Sequence, residues 1–465
     1  MKNRVLSLAV SLPIVAMLTL PALSARAQSG EIWKAESIPA QSQITGGPWT
    51  LEQTGSSNAA PSAGYCVGGV PQLNPGTERM APYYFPFVTG SGSKLHGIFD
   101  YRPRTSNEAV VAASSKDGGL TWQFEQEVLE LNKGVCPASD LVDIGNDAGL
   151  GHGYVLKVQG QAFLYNLDRS VGNVDVAGLV VHQLTPQAGA PLSPAPANLD
   201  VPQRTVGLLN PDGIIAEAPG VFPKTILYLQ KQVNGDRTGT TALPVAQQCG
   251  TPVIFKEPAA SHDIVTPRLA TTEDGVNFTD LGPVNGLNDS TAVGPTDIRY
   301  VGPRGTLLRL EGGKWGLIFS GGNCLDGDSD AFHFLGYAES RDLKSWTVIY
   351  GIQNPIASIA PLTVVFNGSS VTVPATKPVV GNTLGWFEGR VYSPSFTLSG
   401  EHSGFLNFAG YHTPRPNDDR SDYRNIGNVR LHTSREVIAV SGDEDRRGSG
   451  GHDGDDDDDN DHDDH

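Results

Sequence analysis

The chain has 465 residues, with 33 Lys and Arg against 50 Asp and Glu, a net charge of −17, and 55 glycines and 33 prolines. A surface this acidic offers no positive field to a phosphate backbone, which excludes a nucleic-acid partner. Beyond the N-terminus no apolar stretch is long enough to span a bilayer, so no membrane partner is expected either.

The first residues read as an export signal. Lys2 and Arg4 make a positive start, Val5 to Leu20 is almost wholly apolar, and Ala25-Arg26-Ala27 gives a small-x-small cleavage pattern. A signal peptide over 1–27 is therefore expected, with a secreted or periplasmic mature chain from Gln28. The apolar run is too short for an anchor and Pro13 interrupts it. Four cysteines, Cys66, Cys136, Cys249 and Cys324, suit a compartment where disulfide bonds persist. Three pairings are open; Cys66–Cys136 and Cys249–Cys324 each bracket about one repeat of the kind described next. None forms the Cys-x-x-Cys pair of a local zinc site.

From 79 to 440 the chain reads as one repeat array. Short runs rich in Val, Ile, Phe, Tyr and Thr recur between turn residues, and long helical periodicity is scarce. Each unit opens with an apolar strand, a polar turn and a second strand ending in aromatic residues. The openings are Ala81–Tyr101, Gly151–Leu167, Glu217–Gln230, Asp297–Ser320 and Gly389–Tyr411. Their starts lie roughly 65 to 95 residues apart, room for four strands each. Such sheets bury their faces when packed radially, so the expected fold is all-β, a five-bladed β-propeller. Within the N-terminal segment 28–78, Glu31–Leu51 with Trp33 and Trp49 supplies either the strand that closes the ring or part of a sixth blade.

Outer strands carry a second pattern. Ser115-Lys116-Asp117-Gly118-Gly119-Leu120-Thr121-Trp122 has the Ser-x-Asp-x-Gly-x-Thr-Trp form of an Asp box, a hairpin turn of sialidase-type propellers. In it an aspartate accepts backbone N–H groups, glycine permits positive φ and the Trp packs between blades. Thr272-Glu273-Asp274-Gly275-Val276-Asn277-Phe278 and Ser340-Arg341-Asp342-Leu343-Lys344-Ser345-Trp346 are degenerate versions. The chain ends in 441–465, which holds twelve acidic residues and two arginines. With nothing apolar to bury, this Asp/His tail is expected to be disordered, either a solvating tail or a weak metal trap.

On these repeats and turns the chain resembles the five-bladed propeller glycosidases of the arabinanase, xylosidase and invertase kind. The resemblance implies an oligo- or polysaccharide substrate, a central funnel and a pair of carboxyl groups, one protonating the leaving oxygen and one acting as base or nucleophile. Glu217-Ala218-Pro219-Gly220-Val221-Phe222 is similar to the Glu-Gly-Pro-x-x-Phe stretch that carries the family's general acid. Glu388 and Asp297 stand at the fifth and fourth openings, which makes Glu217, Asp297 and Glu388 the catalytic candidates. Arg102, His152, Arg299 and Arg390 are candidates for binding substrate. Two departures stand against a hydrolase. Arg79-Met80-Ala81-Pro82 occupies the place of the family's first-blade Asp-Pro, and Gly151-His152-Gly153 that of its second-blade Asp.

Each candidate has a plainer alternative, since acids at strand starts often cap turns and a histidine can be simply packed. Asp326, Asp328 and Asp330 alternate like a calcium loop, but Tyr337 stands where an EF-hand needs its glutamate. No cofactor is required, and calcium here is set against a solvated acidic loop. A monomeric hydrolase, a glycan- or protein-binding propeller without catalysis, and a metal-dependent lyase or hydrolase around His152 all remain open.

Overall fold

The computed structural model describes residues 31–45, 65–67, 70–72, 83–101, 108–131, 142–143, 151–168, 178–184, 203–232, 264–287, 300–322, 334–351, 354–358, 362–366, 369–373, 378–380, 385–387, 390–411 and 424–440. Cys136, Cys249 and Cys324 lie outside these residues, and of Cys66 only the backbone, in the strand Tyr65–Val67, is described.

Five antiparallel sheets form a five-bladed β-propeller. Blade 1 runs Tyr83–Ser91, Lys94–Tyr101, Glu108–Ser115 and Thr121–Leu131 from the inside outward, and blade 2 runs Gly151–Val158, Gln161–Asp168, Gly178–Leu184 and Gln203–Arg204. Blade 3 is Pro211–Glu217, Lys224–Gln232, Ile264–Thr272 and Phe278–Pro283. In blade 4 the inner edge is split into Tyr300–Val301 and Thr306–Leu310, followed by Lys314–Gly322, Phe334–Ser340 and Trp346–Tyr350. Blade 5 is Arg390–Gly400, Ser403–Tyr411 and Arg424–Thr433, with Trp33–Ala35 as its outer strand.

Local chemistry explains why these segments pair. In blade 2 the strands GHGYVLKV and QAFLYNLD meet at a tight turn where Gln159 and Gly160 have φ of 49° and 81°. Two positive φ values in a row match the right-handed twist of a hairpin. The strand residues Leu156, Leu164 and Tyr165 are fully buried, and with their neighbours they pack against blades 1 and 3.

The inner strands are tied to one another around the whole ring. Phe87 of blade 1 stacks on Tyr154 of blade 2 at 4.6 Å. The hydroxyl of Tyr154 accepts the Glu217 N–H of blade 3 at 2.8 Å. Arg304 N of blade 4 donates to Ile214 O at 2.9 Å. The Thr306 hydroxyl accepts from Phe396 N of blade 5 at 2.9 Å, and the Ser395 hydroxyl accepts from Val88 N of blade 1 at 2.9 Å. Each of these hydrogen bonds satisfies a polar group that inter-blade packing would otherwise leave unpaired.

The three outer turns share one hydrogen-bond scheme. Asp117 accepts from Thr121 N at 2.8 Å and from the Thr121 hydroxyl at 2.6 Å. Asp274 accepts from Val276 N, Asn277 N and Asn277 Nδ2, and Asp342 from Lys344 N and Ser345 N. Trp122 and Trp346 are buried and each donates its indole N–H to a carbonyl of its own turn at 2.9 Å.

Candidate functional site

The inner strands of blades 3 and 4 run in the same sense. Arg304 N bonds Ile214 O, and one step on, Gly305 N bonds Ile215 O at 2.6 Å, so the two chains advance together. The starts of the inner strands thus lie at one end of the axis and their hairpin turns at the other. His152 is the second residue of its inner strand, Asp212 the second of its own and Arg390 the first. Three blades therefore bring a titratable or charged residue to the same end. Of His152 and Arg390 the backbone alone is described.

Glu217 is placed differently from its reading as the opening of the third unit. It is the last residue of the strand Pro211–Glu217, paired with Ile226 beside the hairpin turn. The reason lies in Ala218–Pro223. Pro219 and Pro223 have no N–H for a ladder and Gly220 has φ of 70°, so this stretch makes the turn and the strand precedes it. The start of blade 3 is instead Pro211-Asp212-Gly213, which reads as a turn in sequence.

Glu217 lies between blades 2 and 3. Its Oε1 accepts from Lys224 Nζ at 2.8 Å, with side-chain exposures of 21% and 8%. Burial, and after it the negative charge of Glu217, push the hydroxyls of Tyr154 and Tyr165 in blade 2 well above their ordinary pKa, so both stay protonated. Tyr165 then donates to Gly275 O in the outer turn of blade 3 at 2.6 Å. This pair and its two tyrosines join neighbouring blades.

Two further polar groups are buried near the axis, Asp212 at 3% exposure on the blade 3 inner strand and Arg304 at 1% between the two inner pieces of blade 4. Neither is without a partner. Arg304 also has φ of 59°, a left-handed backbone that costs a non-glycine residue about 1–2 kcal/mol. Buried charge and backbone strain together mark sites whose geometry is held for a purpose other than stability. Sequence reasoning passed over Asp212, Arg304, Lys224 and Tyr154. The Asn210-Pro211-Asp212-Gly213 turn chemistry was the one visible signal.

Arg102, Asp297, Arg299, Glu388, Asp326, Asp328 and Asp330 lie outside the described residues. Among the described residues, no group of three or more His, Cys, Asp or Glu side chains is placed to hold a metal ion.

No protein-family model matches the chain, and no curated protein matches it. Solved structures do. An N-acetylgalactosamine deacetylase from F. plautii, in complex with blood group B trisaccharide, is 14% identical, covering 81% of this chain and 95% of its own with a TM-score of 0.41. The GH43_1 enzyme from Xanthomonas citri is 13% identical over 78% and 90% of the two chains, TM-score 0.39. A thermostable family-43 glycoside hydrolase is 13% identical over 77% and 93%, TM-score 0.42. At this identity and overlap no activity passes from them to this chain.

Proposed function

We propose that the chain is a secreted glycoside hydrolase acting on an oligo- or polysaccharide, with its reacting groups drawn from the end of the axis where the inner strands begin. The observation that carries this reading is the arrival of His152, Asp212 and Arg390 at the starts of three inner strands. In the sequence, Asp297 and Glu388 stand just ahead of the inner strands of blades 4 and 5. Arg102 follows Tyr101, which pairs with the first residue of the blade 1 inner strand.

In this reading Asp297 and Glu388 are the reacting pair. One carboxyl group protonates the glycosidic oxygen as its bond to the anomeric carbon breaks. The other takes the proton of a water whose oxygen attacks that carbon, or attacks it directly. Asp212 is buried near the start of the blade 3 inner strand, at the same end of the axis. Arg102, Arg299 and Arg390 bind sugar hydroxyls. Glu217, held by Lys224, anchors blades 2 and 3 outside the reaction.

A second reading, a propeller that binds glycan without cleaving it, is favoured by Arg79-Met80-Ala81-Pro82 ahead of the first inner strand, where no carboxylate stands. Turnover on a panel of neutral and acidic oligosaccharides separates the two. Asp297→Asn and Glu388→Gln should each lower kcat/KM by about a thousandfold with the melting temperature unchanged, the scale of a lost general acid or base. Full turnover in both variants removes these residues from the mechanism. Saturable binding without product in the parent chain establishes the second reading.

A further inference from the structure

We propose that a cleft on the outer half of blade 4, away from the inner strands, binds the carboxylate of a sugar acid. A cavity of about 380 Å³ opens there, within the size range of small-molecule sites. One face of the sheet and the turn that follows Ser340 build it. Gly316 pairs with Glu339 and Glu339 with Thr347, so these three share a face. Side chains two apart on a strand point the same way, which adds Lys314 and Ile349, and Arg341 lines the same cleft from the turn that follows Ser340. Trp315 pairs with Ser340, the last residue of its strand; Lys314 and Arg341 are the next residues on either side, and both line the cleft.

Two bases and two acids line the cleft, but the acids are already held by other groups. Glu339 is already engaged, accepting from Arg435 Nε at 2.7 Å and from the Tyr337 hydroxyl at 3.1 Å. Asp342 is turned into its own hairpin, where Ser345 N at 2.7 Å and Lys344 N at 2.9 Å hold it. Lys314 and Arg341 make no ion pair among the described residues. Two cations lining one cleft repel each other, and an anion seated between them relieves that repulsion. An exposed, forked guanidinium beside an ammonium suits a carboxylate. The Thr347 hydroxyl and the Ile349 side chain add the polar and apolar surfaces that a sugar ring meets in small-ligand sites. The site does not depend on the axial chemistry and stands if the hydrolase reading fails.

Titration calorimetry of the full chain with D-glucuronate, D-glucose and acetate tests it. Glucose keeps the ring without the carboxylate, and acetate the carboxylate without the ring. Glucuronate should bind at least about tenfold more tightly than either, the equivalent of one good charged contact. Its affinity should fall as salt is raised. Lys314→Gln and Arg341→Gln, both at the surface, should each weaken glucuronate about tenfold while leaving the unfolding midpoint unchanged. Equal binding of glucose or acetate overturns the proposal. So do the absence of saturable glucuronate binding and an affinity indifferent to both substitutions.

Discussion

At the scale of single residues, the ion pair of Glu217 and Lys224 is the most consequential contact described. Lys224 is nearly out of solvent, and its ammonium meets a carboxylate at 2.8 Å. Replacing Glu217 with Gln keeps the shape and removes the charge, taking one charged partner from a buried cation. Because Glu217 is partly exposed, water softens the loss, and a destabilisation of about 1–3 kcal/mol is expected. Adding Lys224→Met should recover most of it, since an apolar chain of similar length needs no counter-charge. Urea unfolding of the two single variants and the double variant checks this. A double variant no more stable than Glu217→Gln would mean the pair is not the source. Turnover lost in Glu217→Gln, with stability intact, would return Glu217 to the reaction. The sequence made Glu217 visible as an acid beside Pro219, but its partner depends on where the hairpin turns. That was hidden, because a Pro-rich turn that contains Val221 and Phe222 has the apolar content of a strand.

Among the elements, the outer turns were the most legible, because their determinants sit within eight consecutive residues. Aspartate, small residues and tryptophan at fixed offsets satisfy the backbone locally, whatever the rest of the chain does. Even the departure in blade 4 keeps the scheme: Leu343 takes φ of 61° where the blade 1 turn has Gly118 at 76°. The carboxylates carry an acid-stability signature. Burial alone would raise the pKa of Asp117, but hydrogen bonds from Thr121 and Ser115 outweigh it and hold the carboxyl below its ordinary value. Asp274 is held low in the same way by Asn277, and Asp342 by the N–H groups of Ser345 and Lys344. A depressed pKa gives stability that is present above the unfolded value of about 4 and lost as pH falls through the folded value. The chain should therefore lose stability below about pH 4, and Asp117→Ala should flatten that decline. At neutral pH the same substitution should cost about 1–2 kcal/mol, the price of an unmade cap. Unfolding midpoints across the acid range decide it: parallel curves for parent and variant would exclude Asp117 as a contributor.

Over the whole molecule, the blade count was legible because five strand openings recur, whereas the role of Glu31–Leu51 was not. Its pairing partners lie about 80 residues on in blade 1 and about 400 residues on in blade 5, and no local pattern states which of two edges it joins. The structure uses it across three blades. Trp33–Ala35 completes blade 5 against Arg424–Thr433, and Gln43–Thr45 runs parallel to the outer strand of blade 1. Tyr350 of blade 4 accepts the N–H groups of Ile32 and Trp33 at 2.9 and 3.2 Å. The Trp33 ring is fully buried, edge-on to Tyr337 of blade 4 at 5.4 Å and to Phe396 of blade 5 at 5.2 Å. If this segment, rather than the inner-strand links, couples the first and last blades, the ring should unfold as a unit only while the segment holds. Trp33→Ala removes a large buried side chain shared by two blades and should cost about 3–5 kcal/mol. More tellingly, it should broaden the urea transition or split it in two, as blade 5 loosens before the rest, with a reduced apparent m-value. Tryptophan fluorescence and far-UV circular dichroism, followed through the same titration, would then stop coinciding. If the two probes still trace a single transition with the parent's slope, the blades are held together by the inner-strand links instead, and closure at Trp33 adds stability without adding cooperativity.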